Sequence, residues 1–148
     1  VPAPPLEPRD LVARHLLQTQ ARLAALAPAD LAAEIARARP ATPAAAVDLA
    51  LALALERAPG DLARAQALLE ALLKDEGEAS RPWQAPARWL AARIADQRRS
   101  DDQIERLNQQ LRETQRRLDQ ANEKLAALKA IERSLVTRPP GAASRPLP

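Results

Sequence analysis

Cysteine, methionine, phenylalanine and tyrosine are all absent from this chain of 148 residues, and glycine occurs only three times. Without cysteine there is no disulfide framework and no thiolate metal site, and the redox compartment cannot be read from the residues. Three scattered glycines, at positions 60, 77 and 141, exclude a phosphate-cradling loop. The one histidine, His15, has no sulfur ligand and few candidate bases to join it, which argues against a metal site or a catalytic triad. Asp101 and Asp102 are neighbours on a helix and face different directions, so they do not make an acid–base pair. The expectation is a protein that is not an enzyme, with no catalytic residues, no cofactor and no small-molecule substrate. The absence of methionine even at residue 1 predicts a processed chain, with whatever signal or anchor preceded Val1 removed.

What is present is helix-forming. Alanine, leucine, arginine, glutamine and glutamate dominate, and runs of Val, Ile, Thr and aromatics suited to strands are missing. The fold class is therefore all-α: a small helical bundle or hairpin body followed by a long C-terminal helix of coiled-coil type. Charge is uneven along it. Residues 1–80 carry eight Lys or Arg against eleven Asp or Glu, whereas residues 81–148 carry fourteen against eight. A basic helix invites a nucleic-acid reading, but here arginines alternate with acids and no aromatic side chains are available for stacking. No nucleic-acid partner is expected.

Four segments follow from the punctuation. Residues 1–9, with four prolines in the first eight positions, read as an extended tether. Residues 10–80 form the helical body. Asp10 caps its first helix, which runs through Leu11, Leu16, Leu17, Leu23 and Leu26, and Asp30 starts a short second one. Thr42 is an N-cap with Pro43 at the first helical position, and the apolar run to Ala58 is too short and too charged to span a bilayer, so it is the buried core helix. Pro59-Gly60 stops it, Asp61 caps the next helix, and the pair from Ala44 to Leu73 makes a helical hairpin. Only one such pair is visible, so a tetratricopeptide-like array is not supported. The loop from Asp75 to Arg81 ends the body. Residues 81–136 are the long helix with a Trp-bearing junction, and residues 137–148 are a Pro-rich disordered tail.

The long helix carries the strongest pattern. No Gly or Pro interrupts Trp89 to Leu135. With Ile104 at position a of a heptad, Leu111, Leu118 and Leu125 occupy the following a sites, and Leu107, Thr114, Ala121 and Leu128 the d sites. Thr114 is the weak point, and beyond Leu128 the spacing slips as in a stammer. A helix from about Pro86 to Val136 would be about 75 Å long at 1.5 Å per residue, so it projects from the body or folds back along it. In a parallel homodimer its flanking positions would pair Gln110 with Gln115, Arg117 with Asn122 and Lys124 with Lys129, none of them opposite in charge. The edges therefore do not specify the chain's own copy, and a parallel homodimer stands beside an antiparallel or heterologous helical partner and packing back onto the amino-terminal half. Asp102 with Arg106 and Glu113 with Arg117 should support the helix along its solvated face. Trp83 and Trp89 bracket its start, either plugging the end of the bundle or, with Arg81, Arg88 and Arg93 nearby, anchoring a partner. The candidate partner-binding residues are Trp83, Trp89, Ile104, Leu107, Leu111, Leu118, Leu125 and Leu128.

The run LDQANEKLAALKAIERSLVTRPPG, from Leu118 to Gly141, resembles the end of the QseG (YfhG) family. In that family a helical periplasmic body leads into a Gln-, Arg- and Leu-rich coiled coil that closes with I-E-R-x-L-x-x-R and a Pro-rich tail. The match is strong over about a quarter of the chain, and the order of helical body, Trp-bearing junction after Arg81-Pro82 and coiled coil is similar too. The resemblance implies a bacterial lipoprotein facing the periplasm, anchored in the outer membrane through an acylated cysteine before Val1. It also implies a partner, the periplasmic part of the QseE (GlrK) sensor histidine kinase of a two-component system, whose signalling such proteins promote. Two other readings stay open: a self-associating coiled-coil envelope scaffold or spacer, and a helical-repeat chaperone, which would need a concave groove in residues 10–80.

Overall fold

A computed structural model describes residues 2–137. It is all-α, with five helices: α1 (Pro8–Ala24), α2 (Pro28–Arg37), α3 (Pro43–Glu56), α4 (Asp61–Lys74) and α5 (Gln84–Val136), and a 3-10 segment, Glu78–Trp83, ahead of α5. No strand occurs among the described residues. No described helix is long and apolar enough to cross a membrane. The tail expected at residues 138–148 lies outside the described residues, as does Val1.

Two compact units divide the chain, Val1–Asp101 and Asp102–Pro148. The first is built around α3. Its run from Val47 to Leu53 is buried at every position except Asp48, so the helix is apolar nearly all round and has to be sheathed on several sides. α1, α2, α4 and the 3-10 segment all pack on it. α1 contributes one stripe, Val12, Leu16, Thr19 and Leu23, at helical spacing, whereas Leu11 and Leu17 point outward. α2 adds Leu31 and Ile35, α4 adds Ala65, Leu69 and Leu72, and the first turns of α5 add Ala87, Leu90 and Ile94. These last three carry the compact unit past residue 80, where the sequence pattern sets the end of the body.

Local chemistry explains most of the helix ends. The Thr42 hydroxyl accepts from the Ala45 N–H at 3.1 Å and Pro43 opens α3, as the sequence indicates. Three starts differ from the sequence expectation. α1 begins at Pro8 with Glu7 at the N-cap, and α2 begins at Pro28 with Ala27 at the N-cap, so Asp10 and Asp30 sit in first turns and do not cap. Proline's fixed φ and missing N–H favour the first helical turn, and both helices therefore start three residues earlier than caps at Asp10 and Asp30 would give. At α4 the N-cap is Gly60, with φ 86°, and Asp61 is the first helical residue. Its carboxylate reaches back to accept from the Ala58 N–H at 3.0 Å, closing the α3–α4 turn. That turn also holds Arg57 in the left-handed region (φ 55°), where its N–H donates to the Leu53 carbonyl and its guanidinium pairs with Asp101 at 3.1 Å.

The 3-10 segment replaces part of the loop expected between Asp75 and Arg81. Asp75 organises it. One carboxylate oxygen accepts from the Gly77 N–H at 2.9 Å, the other from the fully buried Ser80 hydroxyl at 2.6 Å. The Gln84 amide then donates to the carbonyls of Leu72 (2.9 Å) and Asp75 (3.0 Å) at the end of α4, where the Leu72 carbonyl also accepts from the Asp75 N–H at 3.1 Å.

The second unit contains the rest of α5. Every described residue from 102 to 137 is exposed. Arg117 pairs with Glu113 at 2.6 Å, as expected, and Arg112 with Glu105 at 3.3 Å, whereas the expected pairing of Asp102 with Arg106 does not form. Exposed pairs of this kind are worth only about 0.2–1 kcal/mol, so neighbouring acids compete for each arginine on nearly equal terms.

Candidate partner-binding surface

α-Helical geometry places residues i, i+3, i+4 and i+7 on one face, and the heptad positions of α5 obey it without a break. Ile104, Leu107, Leu111, Leu118, Leu125 and Leu128 are 55, 57, 68, 51, 50 and 62% exposed. From Ile104 to Leu128 the stripe runs nearly seven helical turns, about 36 Å at 1.5 Å per residue, with Thr114 and Ala121 as its two small members. Polar partners are drawn to its flanks. Besides the arginine pairs, Gln109 donates to Glu105 and Gln115 to Asp119, each at 3.0 Å, four residues apart. Glu105, Glu113 and Asp119 are thus engaged along the helix itself, on the flanks of the stripe.

The two tryptophans separate. Trp83, in the 3-10 segment, is half-buried against the core and meets the His15 ring edge to face at 5.5 Å between centroids. Trp89, on α5, is 62% exposed, with the Arg93 guanidinium 5.4 Å from its ring centre. Trp83 therefore fills the end of the first unit, and Trp89 offers its indole to the surface. Beside Trp89 a groove of about 320 Å³ opens over α3, between Leu16 and Leu17 of α1 and Pro86 and Arg93 of α5. The structure brings Trp83 and Trp89 into the first unit and the six heptad residues into the second.

One cluster was not legible in the sequence. His15 Nε2 lies 2.8 Å from Asp48 Oδ1, which ties α1 to α3, and Thr19 Oγ1 lies 3.4 Å from the same nitrogen. A Ser/His/Asp-type relay needs the hydroxyl on one ring nitrogen and the carboxylate on the other. Here both crowd Nε2, so the ring cannot pass a proton from Thr19 to Asp48, and the group acts as a helix–helix clamp. The signal that could have found it is Asp48 itself, the one charge among the first thirteen residues of the most apolar helix, which must have a partner across the core boundary.

Two carboxyl groups have displaced titrations. Asp75 is held below its ordinary value, first by the Ser80 hydroxyl and then by the Gly77 N–H. Glu56, at the end of α3, is raised, by partial desolvation and by the Asp61 carboxyl beside it. Both effects belong to the turns that join the helices. Among the described residues no three His, Asp or Glu side chains gather as a metal site.

No protein family, curated protein or solved structure was found to match the chain.

Proposed function

We propose that this protein is a non-catalytic accessory of a two-component sensor histidine kinase, held at the periplasmic side of the outer membrane, that docks its coiled-coil helix on the kinase's sensor domain and modulates signalling. The observation that carries the reading is the uncovered heptad stripe of α5, six large aliphatic side chains each half or more exposed. An apolar strip of that length is the kind of surface that marks a protein interaction site, and a sensor domain of amphipathic helices offers the groove it fits. The choice of kinase, compartment and lipid anchor follows from the QseG-like run at Leu118–Gly141.

The test is to titrate the chain against the purified periplasmic domain of the sensor kinase encoded nearest to it, with light scattering on each component and on the mixture. A complex of defined mass is the expected result. No complex at tens of micromolar overturns the kinase reading.

A further inference from the structure

We propose that the stripe of α5 is also the contact by which two copies of this chain pair, antiparallel and in one register, with Ile104 against Leu128 of the other copy, Leu107 against Leu125, Leu111 against Ala121, and Thr114 against Leu118. The proposal goes beyond the kinase reading and does not depend on it, because it rests on the stripe's own distribution of large and small residues.

The eight seam positions are not equivalent. All four a positions are large (Ile104, Leu111, Leu118, Leu125), whereas two of the four d positions are small (Thr114, Ala121). A parallel pair stacks a on a and d on d. It would set Thr114 on Thr114 and Ala121 on Ala121, two thin layers flanking the crowded Leu118 layer. It would also bring Lys124 of each copy against Lys129 of the other. Reversing one helix makes every layer an a residue against a d residue. Each small d side chain then faces a leucine, which is the large-against-small alternation that fills a helix–helix interface without voids.

Register is fixed by the ends of the pattern. In the stated alignment all eight apolar or small positions meet one another. Sliding one heptad in one direction puts Glu132 opposite Leu107; sliding in the other puts Gln97 opposite Leu128 and Ile104 opposite Ala121. Both slides bury a polar group in the seam and leave a large residue without its match. The flanks agree with the stated alignment. Antiparallel reversal sets g against g and e against e, so Lys124 faces Gln110, Asn108 faces Asn122, and Gln115 faces itself. The single like-charge meeting is Arg117 with Arg117, and that guanidinium is already engaged by Glu113 at 2.6 Å on its own helix. The exposure of the stripe leaves it open to such a mate.

A kinase helix on the same face has to displace the second copy, so the two contacts compete and complex formation with the kinase should weaken as the chain's own concentration rises.

The absence of cysteine makes a crosslinking test clean. Full-length Ile104→Cys and Leu128→Cys variants are oxidised mildly, separately and as a mixture. In the antiparallel register residue 104 lies beside 128 of the other copy, and two residues 104 are about 36 Å apart, 24 residues at 1.5 Å each. The expected result is a disulfide joining the two different variants in the mixture and none in either variant alone. Efficient disulfides in each variant alone would show a parallel pair and overturn the proposal. Light scattering on the unaltered chain is the companion measurement, since a cysteine removes part of one layer. Its mass should rise from one copy to two with concentration, and a single-copy mass up to hundreds of micromolar would equally overturn the pairing. Lys124→Glu separates the orientations once more: it would tighten a parallel pair, through Lys129, and should leave the antiparallel mass curve unchanged. Because none of these experiments contains the kinase domain, their failure and the failure of the kinase titration are read independently.

Discussion

The first hundred residues and the stretch after Asp102 use the same alphabet and reach opposite conditions. In α3, where only Asp48 and Glu56 are charged, leucine and alanine bury themselves almost completely, and Val47, Ala50 and Leu53 have no exposure at all. In the second half of α5 the same residue types leave every side chain exposed. The contrast runs within one helix. Ala87, Leu90 and Ile94 of α5 are in the core, and Ile104, Leu107 and Leu111 a few turns later are at the surface. Leucine and isoleucine occur in both settings within α5, so residue type alone does not make the difference. What differs is the burial that each stretch acquires, and the exposed aliphatic stripe is the surface that the proposed partner contact would cover.

The comparison breaks most sharply in stability. Leu69→Ala, at a position with no exposure, should lower the unfolding free energy of the first unit by about 3 kcal/mol, because it leaves a cavity in the core where α4 packs on α3. Leu118→Ala, half exposed, should change it by less than about 0.5 kcal/mol. Urea titrations followed by circular dichroism check both, and equal effects would mean that the second unit is not autonomous in its burial.

The next effect is on association. Leu111→Asp with Leu118→Asp places two charges in the middle of the stripe. The double variant should lose kinase-domain binding and self-pairing by at least about 100-fold, worth about 2.7 kcal/mol, while the first unit unfolds at its usual denaturant concentration. Calorimetry and light scattering measure the first, denaturation the second. Retained binding would move the interface to Trp89 and the groove beside it.

A smaller effect tests what fastens α1 to the core. His15→Ala removes the contact with Asp48 and the edge on Trp83, and should cost about 1 kcal/mol, since the pair is partly exposed. The change should be detectable in denaturation and in the fluorescence of Trp83. No loss would mean that the apolar stripe of α1 suffices alone.

The smallest effect concerns the brace between α4 and α5. Asp75 titrates below its ordinary value in the folded chain, so its contribution is present above the unfolded value near 3.9 and is lost as pH falls below about 4 through the lower folded value. Ser80→Ala should move the Asp75 titration upward, toward the ordinary carboxyl range, in carbon-detected NMR. An unchanged midpoint would leave the Gly77 N–H as the dominant contact.

Much of this organisation was legible because it rests on local rules. The Thr42-Pro43 cap, the Pro59-Gly60 stop and the unbroken heptads of α5 are all short-range signals, and the elements appear where those signals point. The misplaced starts of α1 and α2 have a local cause too, with Pro8 and Pro28 outranking the aspartates two residues on. The 3-10 segment and the His15–Asp48 contact were hidden for another reason. The first depends on Ser80 being buried against Asp75, and the second joins residues 33 positions apart. Neither leaves a periodic trace. The two tryptophans, six residues apart, could not be told apart by pattern, yet one is half-buried and the other largely exposed.

The sequence by itself determined that the chain is helical, where most of its helices stop, and that one face of α5 is apolar over four heptads, because propensity, capping and periodicity act within a few residues. Only the tertiary structure decided which stripes of α1, α2, α4 and the first turns of α5 cover α3, that Trp83 goes inward and Trp89 outward, and that the large residues of the stripe from Ile104 to Leu128 are each half or more exposed. Those outcomes depend on which surfaces meet across the fold, and burial is a property of the neighbours a residue acquires and not of the residue itself.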